Sequence, residues 1–321
     1  MPHAIVATRA GGPEVLNYLT VPRPVPQRGQ LLVRVAAAGI NFRDTLERRG
    51  TRKALFPYIP GTEASGTVVQ AAEGTEGFSE GDRIATAESV GCYAEYVLVD
   101  AERALPIPDD VDDVTAAALT FQGLTAHYLI NSSFAVGGHH TALVNTGGDE
   151  MGLLLIQLLK AKGARVITTA PTDQREALAL QAGADQNFRR ADFNTDVRNL
   201  TDGRGVDVVY DCVGRDTFVE SIASLTVRGA LVSFGQRSGP VPPVNLQGTI
   251  AAKSITLMQP SMASYLQNPV ERRWRSSEIF TAAGSNALKV LVSTQYPLSD
   301  ACRAHQELEE GRLQGKGILI P

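Results

Sequence analysis

"TALVNTGGDEMGLLLIQLLKAKG", residues 141–163, decides the fold. An apolar run of strand length enters a glycine-rich turn, and the turn opens onto a stretch whose apolar residues recur at helical spacing. Met151, Leu154, Leu155, Leu158 and Leu159 fall at i, i+3, i+4, i+7 and i+8, one stripe of a buried helix. Gly163 follows as the residue that ends it. A strand, a tight turn and a helix in this order place unpaired N–H groups and a positive dipole end at the turn, the arrangement that receives a pyrophosphate. Gly147, Gly148 and Gly152 supply the glycines, yet Asp149 and Glu150 put two carboxylates in the same turn. The turn alone reads equally well as a β-to-α connection in which Asp149 caps the helix and Glu150 complements its dipole.

Outward from this stretch the pattern repeats. "ARVITTA", the helix "DQREALALQAG", "VDVVYDCVG" and "ALVSFG" alternate between strand and helix periods, which predicts a parallel sheet covered on both faces. The second strand ends where a ribose or its phosphate would be read. Ala170 and Pro171 stand there instead of an acid, and Arg175 lies within reach of a 2'-phosphate, which its fork fits, so NADP is favoured; Arg175 reads equally as an exposed helix residue, with Asp173 able to reach a ribose. The preceding 122 residues are different: "GQLLVRVAAAG", "ASGTVVQ" and "SEGDRIA" are short valine-rich strands punctuated by Gly, Pro and Asp. After about residue 260 come the helix "RWRSSEIFTAAG", a turn, a second helix and a final strand ending "GKGILIP".

Composition bounds the function. With 321 residues, 43% of them apolar and 20% charged, the chain is an ordinary globular protein with room for two domains. A net charge of −4 gives no general attraction to nucleic acid or anionic membrane, and the basic group Arg272, Arg273 and Arg275 reads as a solvated helix face. Three scattered cysteines, Cys92, Cys212 and Cys302, suggest neither a disulfide framework nor a zinc knuckle. No stretch has the ~18 apolar residues of a membrane span, and the N-terminus lacks a leader pattern, so a cytoplasmic protein is expected. The pair His139 and His140 reads as a surface turn.

Several stretches together carry a family resemblance over nearly the whole chain: "GGPEVL" (11–16), "GINFRDTLERRG" (39–50), "GTEASGTV" (61–68), "GDRIA" (81–85), "GLTAHYL" (123–129), "YDCVGRDT" (210–217), "VSFGQRSG" (232–239) and the ending "GKGILIP". The chain resembles the zinc-free, zeta-crystallin-like quinone oxidoreductase branch of the medium-chain dehydrogenase/reductase superfamily. That resemblance implies an α/β protein with a Rossmann doubly wound parallel sheet and a GroES-like β-rich catalytic domain. The division it implies is 1–122 for the catalytic domain, 123–260 for the NADP-binding domain and 261–321 for the return to the catalytic domain. A cofactor cleft between the two and a homodimer through the Rossmann sheet edge are implied as well. The activity implied is hydride transfer from NADPH to a quinone or an α,β-unsaturated carbonyl, without membrane or nucleic-acid partners.

By the same resemblance Asn41 faces nicotinamide and substrate, with Asp44 and Thr62 beside it as catalytic candidates. Thr125, Thr146, Gly147, Gly148, Met151, Gly152, Thr169, Arg175, Val213, Phe234, Gly235 and Lys316 are the expected cofactor contacts. In zinc-dependent relatives a Cys and a His occupy the positions of Asn41 and Thr62, and neither residue here is a ready zinc ligand, so no metal is expected. A tyrosine frequent in relatives is replaced by Leu46, which leaves Asp44, Thr45 and Tyr58 as the candidate proton donors.

Relatives carry an AxxGxxG pattern in the phosphate loop, which sets Thr146 on the Ala, Asp149 on the first Gly and Gly152 on the second. A carboxylate ~5 Å from a pyrophosphate would cost on the order of 1 to 3 kcal/mol. Either Gly147 and Gly148 let the loop take another path, with the acids turned outward to cap the helix, or the chain is a cofactor-poor binding or regulatory homologue that kept the fold.

Overall fold

A computed structural model of the chain describes residues 1–189 and 192–321. The chain divides into two compact units: Met1–Gln122 with Pro269–Pro321, and Gly123–Asn268. The first unit begins with β1 (His3–Ala7), β2 (Leu16–Thr20), β3 (Gln30–Gly39), α1 (Phe42–Arg48), β4 (Glu63–Ala71), β5 (Arg83–Thr86), β6 (Tyr96–Asp100) and β7 (Leu105–Pro106). A helix, α2 (Asp113–Tyr128), runs from this unit into the second. The second unit holds β8 (Thr141–Asn145), α3 (Glu150–Ala161), β9 (Arg165–Thr169), α4 (Asp173–Gln181), β10 (Gln186–Phe188), α5 (Phe193–Leu200), β11 (Val206–Asp211), α6 (Phe218–Ser224), β12 (Leu225–Ser233), β13 (Thr256–Met258) and α7 (Met262–Tyr265). The return to the first unit adds α8 (Pro269–Gly284), β14 (Val292–Pro297), α9 (Ala301–Glu309) and β15 (Lys316–Ile320).

The second unit's sheet runs β10-β9-β8-β11-β12-β13 with every pair parallel. Numbered within the unit this is 3-2-1-4-5-6, the doubly wound order in which the direction of winding reverses between the first and fourth strands, here β8 and β11. Both faces are covered, so strand residues of either parity are buried: Ala142, Leu143 and Val144 of β8 are all inaccessible to solvent. The α3 stripe is wider than its periodicity predicts. Leu153 and Ile156 are buried as well, whereas Met151 and Leu158 are half-buried. Gly163 stands at φ +78° just past the helix, where a side chain would be strained. The unit reaches Asn268 rather than 260, and the Tyr265 ring of α7 stacks on Tyr128 at 4.6 Å.

In the first unit β14-β15-β3-β4-β5-β7 form one sheet, with β6 also paired to β3. The last strand of the chain therefore lies inside this sheet, parallel to β14 and antiparallel to β3. Its core joins Leu31, Val33, Val68, Val97, Val99 and Leu319.

One sequence reading is corrected here. The basic group on α8 is not a solvated face: Arg272, Arg275, Ser276, Ile279 and Phe280 form its buried stripe, and only Arg273 of the three arginines is exposed. Arg272 donates to Glu88 Oε2 at 2.9 Å and to the Glu102 carbonyl at 2.8 Å, and Arg275 donates to Glu271 Oε2 at 3.0 Å. Partners remote in sequence make burial of the Arg272 guanidinium tolerable, and a partner one helical turn away does so for Arg275.

Candidate active site

Asn41 follows β3 and caps α1, with its backbone N–H donating to Asp44 Oδ2 at 2.9 Å. Its side chain is almost wholly buried and held from both ends. Lys316 Nζ donates to Oδ1 at 2.7 Å, Nδ2 donates to Glu63 Oε2 at 3.0 Å, and Lys316 and Glu63 pair with each other at 2.8 Å. An ammonium can only donate and a carboxylate only accept, so the amide orientation is unambiguous. Nδ2 carries two hydrogens and Glu63 takes one of them. Glu63 Oε1 also accepts from the backbone N–H of Phe121. Lys316 and Glu63 are fully inaccessible, and Gly39 makes room for the acid, since a Cβ there would lie 2.4 Å from Glu63 Oε2. Beside Glu63 in the chain, the buried Thr62 Oγ1 has no hydrogen-bond partner among the described residues.

Beneath Asn41 runs a second buried chain of polar groups. Tyr93 OH donates to Asp44 Oδ2 at 2.9 Å and contacts His305 Nε2 at 3.1 Å; His305 Nδ1 meets Arg48 Nη1 at 3.0 Å; Arg48 Nη2 donates to Glu309 Oε1 at 2.6 Å. The donors fix the tautomer: Arg48 can only donate, so Nδ1 accepts and Nε2–H donates to the tyrosine. Burial pushes the Asp44 carboxyl up to about 7, against the lowering by the Asn41 N–H and the Tyr93 hydroxyl. Burial and then the adjacent Arg48 push His305 down to about 3. Asp44 Oδ1 and Tyr58 OH are buried without hydrogen-bond partners among the described residues.

In the other unit the glycine turn joins β8 to α3. Thr146 adopts φ +62°, its N–H donates to Thr169 Oγ1 at 3.1 Å, and its hydroxyl contacts Cys212 Sγ at 3.0 Å. The glycines are required by packing: a Cβ on Gly148 would lie 2.4 Å from the Arg175 carbonyl, and one on Gly152 2.3 Å from the Thr146 carbonyl. Asp149 occupies the N-cap position of α3 without capping it, because its carboxylate is gripped by two guanidiniums, Arg175 from α4 and Arg237 from the turn after β12. The acid is thus neutralised inside the turn, not turned outward as a cap. Asp211, fully buried at the end of β11, accepts from Val213 N at 2.8 Å, Gly214 N at 3.1 Å, Ser221 Oγ at 2.7 Å and Asn145 Nδ2 at 3.1 Å. Phe234 N donates to the Asp211 carbonyl at 2.9 Å, and Gly235 lies against Cys212. Together these bonds join the turns after β11 and β12.

Residues 151–276 match the zinc-binding dehydrogenase family, and residues 27–109 match the alcohol dehydrogenase GroES-like domain. Quinone oxidoreductase 1 of Escherichia coli is 37% identical, with 97% of each chain covered. The chain belongs to the quinone oxidoreductase branch of the medium-chain dehydrogenase/reductase superfamily. The chain is also similar to a mycobacterial protein solved in complex with NADPH, 43% identical, with a TM-score of 0.94 and 100% of both chains covered. The 2-haloacrylate reductase of a Burkholderia species is 31% identical, with 99% of this chain and 98% of its own covered.

For this quinone oxidoreductase homologue, the expected site residues fall in two groups. Asn41, Asp44, Thr62 and Lys316 lie in the first unit, where Lys316, expected at the cofactor, holds Asn41 and Glu63. Thr146, Gly147, Gly148, Met151, Gly152, Thr169, Arg175, Val213, Phe234 and Gly235 lie in the second, with Thr125 on the part of α2 that belongs to it. Glu63, Tyr93, His305, Asp211 and Arg237 were not read from the sequence. Glu63 sits inside "GTEASG", Asp211 inside "YDCVG" and Arg237 inside "VSFGQRSG", all quoted stretches, whereas Tyr93 and His305 carry no local pattern. Among the described residues, no group of three or more His, Cys, Asp or Glu side chains is placed to hold a metal. Nor is any described helix long and apolar enough to cross a membrane.

Proposed function

We propose that this protein is an NADPH-dependent, zinc-independent reductase of quinones and of α,β-unsaturated carbonyl compounds. The observation that carries the reading is Asn41, a neutral amide locked by Lys316 and Glu63 where zinc-dependent relatives place a metal ligand. Full-length relatives named for quinone and 2-haloacrylate reduction support it. The donor set of the glycine turn fits a polyanionic cofactor: the turn opens a helix, and two arginines neutralise its one gripped carboxylate. When bound, NADPH supplies the hydride. Arg175 reads the 2'-phosphate by a bidentate fork, and the joined turns 211–214 and 234–239 shape the second unit's binding surface. Asn41 offers its remaining amide N–H to the substrate oxygen, and the Lys316 ammonium behind the amide strengthens that donor as negative charge develops. Asp44, largely protonated below about pH 7, is the nearest acid to this amide's backbone.

The homodimer through the parallel sheet's edge and a cytoplasmic location belong to the same proposal. The sheet ends at β10 and β13, the two edges open to pairing.

The test follows loss of reduced nicotinamide absorbance with 1,4-benzoquinone and an enone, using NADPH or NADH, with and without EDTA. Turnover favouring NADPH and indifferent to EDTA is expected. Absence of both turnover and nucleotide binding would overturn the reading.

A further inference from the structure

The strand order reverses between β8 and β11, and at that reversal a crevice opens beyond the carboxyl ends of the strands, with half of the sheet on either side. A dinucleotide lies across such a crevice with one mononucleotide over each half, so its pyrophosphate occupies the middle. Asp149 stands at this place, in the turn after β8. Its two cationic partners come from opposite sides: Arg175 belongs to α4, which follows β9, and Arg237 belongs to the turn after β12. One carboxylate bridging guanidiniums from both halves of the sheet is an anion held where the cofactor's central anion belongs.

Arg237 is not a loosely placed surface residue. Its backbone N–H donates to the Cys212 carbonyl, that of Ser238 donates to Val213 O at 2.9 Å, and Ser238 Oγ donates to the same carbonyl at 2.9 Å. These bonds fix the 234–239 turn on the end of β11, so the guanidinium can leave Asp149 and reach a neighbouring phosphate by side-chain rotation alone.

We propose that Arg237 is a pyrophosphate-binding residue and that Asp149 is the internal anion that holds it, with Arg175, in the crevice until a dinucleotide takes the carboxylate's place. The proposal rests on the NADPH-reductase reading and deepens it. Arg237 serves the phosphates common to NADPH and NADH, whereas Arg175 serves the 2'-phosphate that NADH lacks. Asp149 competes with NADPH for both guanidiniums and with NADH for that of Arg237.

Dissociation constants for NADPH and NADH, measured calorimetrically on the intact protein, test each part. Arg237→Gln is expected to weaken both nucleotides alike, roughly tenfold for one lost charge-assisted contact. Arg175→Gln should weaken NADPH and leave NADH nearly unchanged, and Asp149→Asn should tighten both. Arg237→Gln made in the Asp149→Asn background separates a ligand-binding arginine from a mere counter-ion, because weakening persists there only if the guanidinium touches the nucleotide. Loss of the Arg237 effect in that background, unaltered binding in the single variant, or weaker binding by Asp149→Asn would overturn the proposal and leave the reductase reading standing. Failure of both the unmodified protein and Asp149→Asn to bind either nucleotide would overturn the two together.

Discussion

Lys316 and Glu63 are both fully buried, and the ion pair between them has no solvent to screen it. Removing one charge from such a pair leaves the other uncompensated in a low-dielectric interior, at a cost of ~3 to 5 kcal/mol. Lys316→Met is therefore expected to lower the urea midpoint strongly, and Glu63→Gln added to it should restore most of the loss, because the glutamine oxygen still accepts from Phe121 and its NH2 donates to Asn41 Oδ1, freed by loss of the lysine, once the asparagine amide turns over. A double variant no more stable than the single one would show that the deficit comes from lost packing of the lysine stem. Asn41 and Thr62 were legible as candidate positions, because their stretches carry the family resemblance. The role of Lys316 was not, because it depends on a contact with Asn41, 275 positions earlier in the chain. Asp149 shows the same limit: a local reading sees a repulsive acid, and the partner that completes its neutralisation, Arg237, lies 88 positions away.

At the scale of elements, α1 and α9 are linked through Asp44, Tyr93, His305 and Arg48, and the link has a pH signature. Asp44 is held near 7 in the folded state against an ordinary 3.8, so its contribution to stability is complete below about pH 4 and is lost as pH rises through about 7. His305 is held near 3 against an ordinary 6.5, so its contribution is complete above about 6.5 and is lost as pH falls toward 3. Between about pH 4 and 6.5 the unfolded chain carries a proton on the histidine and the folded chain carries one on the aspartic acid, so the two slopes cancel. Other groups packed on the pair, Glu47, Lys316, Arg48 and Tyr58, set where the window lies. Asp44→Asn should uncover a stability that rises with pH across this window, and His305→Gln one that falls, each by about 1.4 kcal/mol per pH unit. Urea unfolding from pH 4 to 7 would measure both; identical profiles for the two variants would contradict the assignment. The apolar runs of β8 and β9 and the striped helix α3 between them were readable from the sequence. The short, polar β10 and the buried arginine face of α8 were not, since three residues carry no period and a buried guanidinium looks like a surface one until Glu88 and the Glu102 carbonyl are in place.

Across the whole molecule the two units differ in how the chain builds them. The nucleotide-type unit is continuous from Gly123 to Asn268, while the other closes only when the C-terminal segment returns. β15 is the strand that closes it: flanked by β14 and β3, it carries Ile318 and Leu319, both fully buried, and the ammonium that orients Asn41. Deletion of residues 316–321 therefore removes an interior strand, exposing two ladders of backbone groups and a buried carboxylate at once. Hydrogen exchange is expected to show protection lost in β3 and β14 and kept in β8, β9 and β11, whose parallel ladder receives no strand from the C-terminal segment. NADPH binding should survive the truncation better than turnover, because Arg175, Arg237 and the glycine turn stay in the intact unit while Asn41 loses its lysine. Uniform loss of protection in both units would mean that neither holds its fold without the other, and the separation of binding from turnover would fail with it.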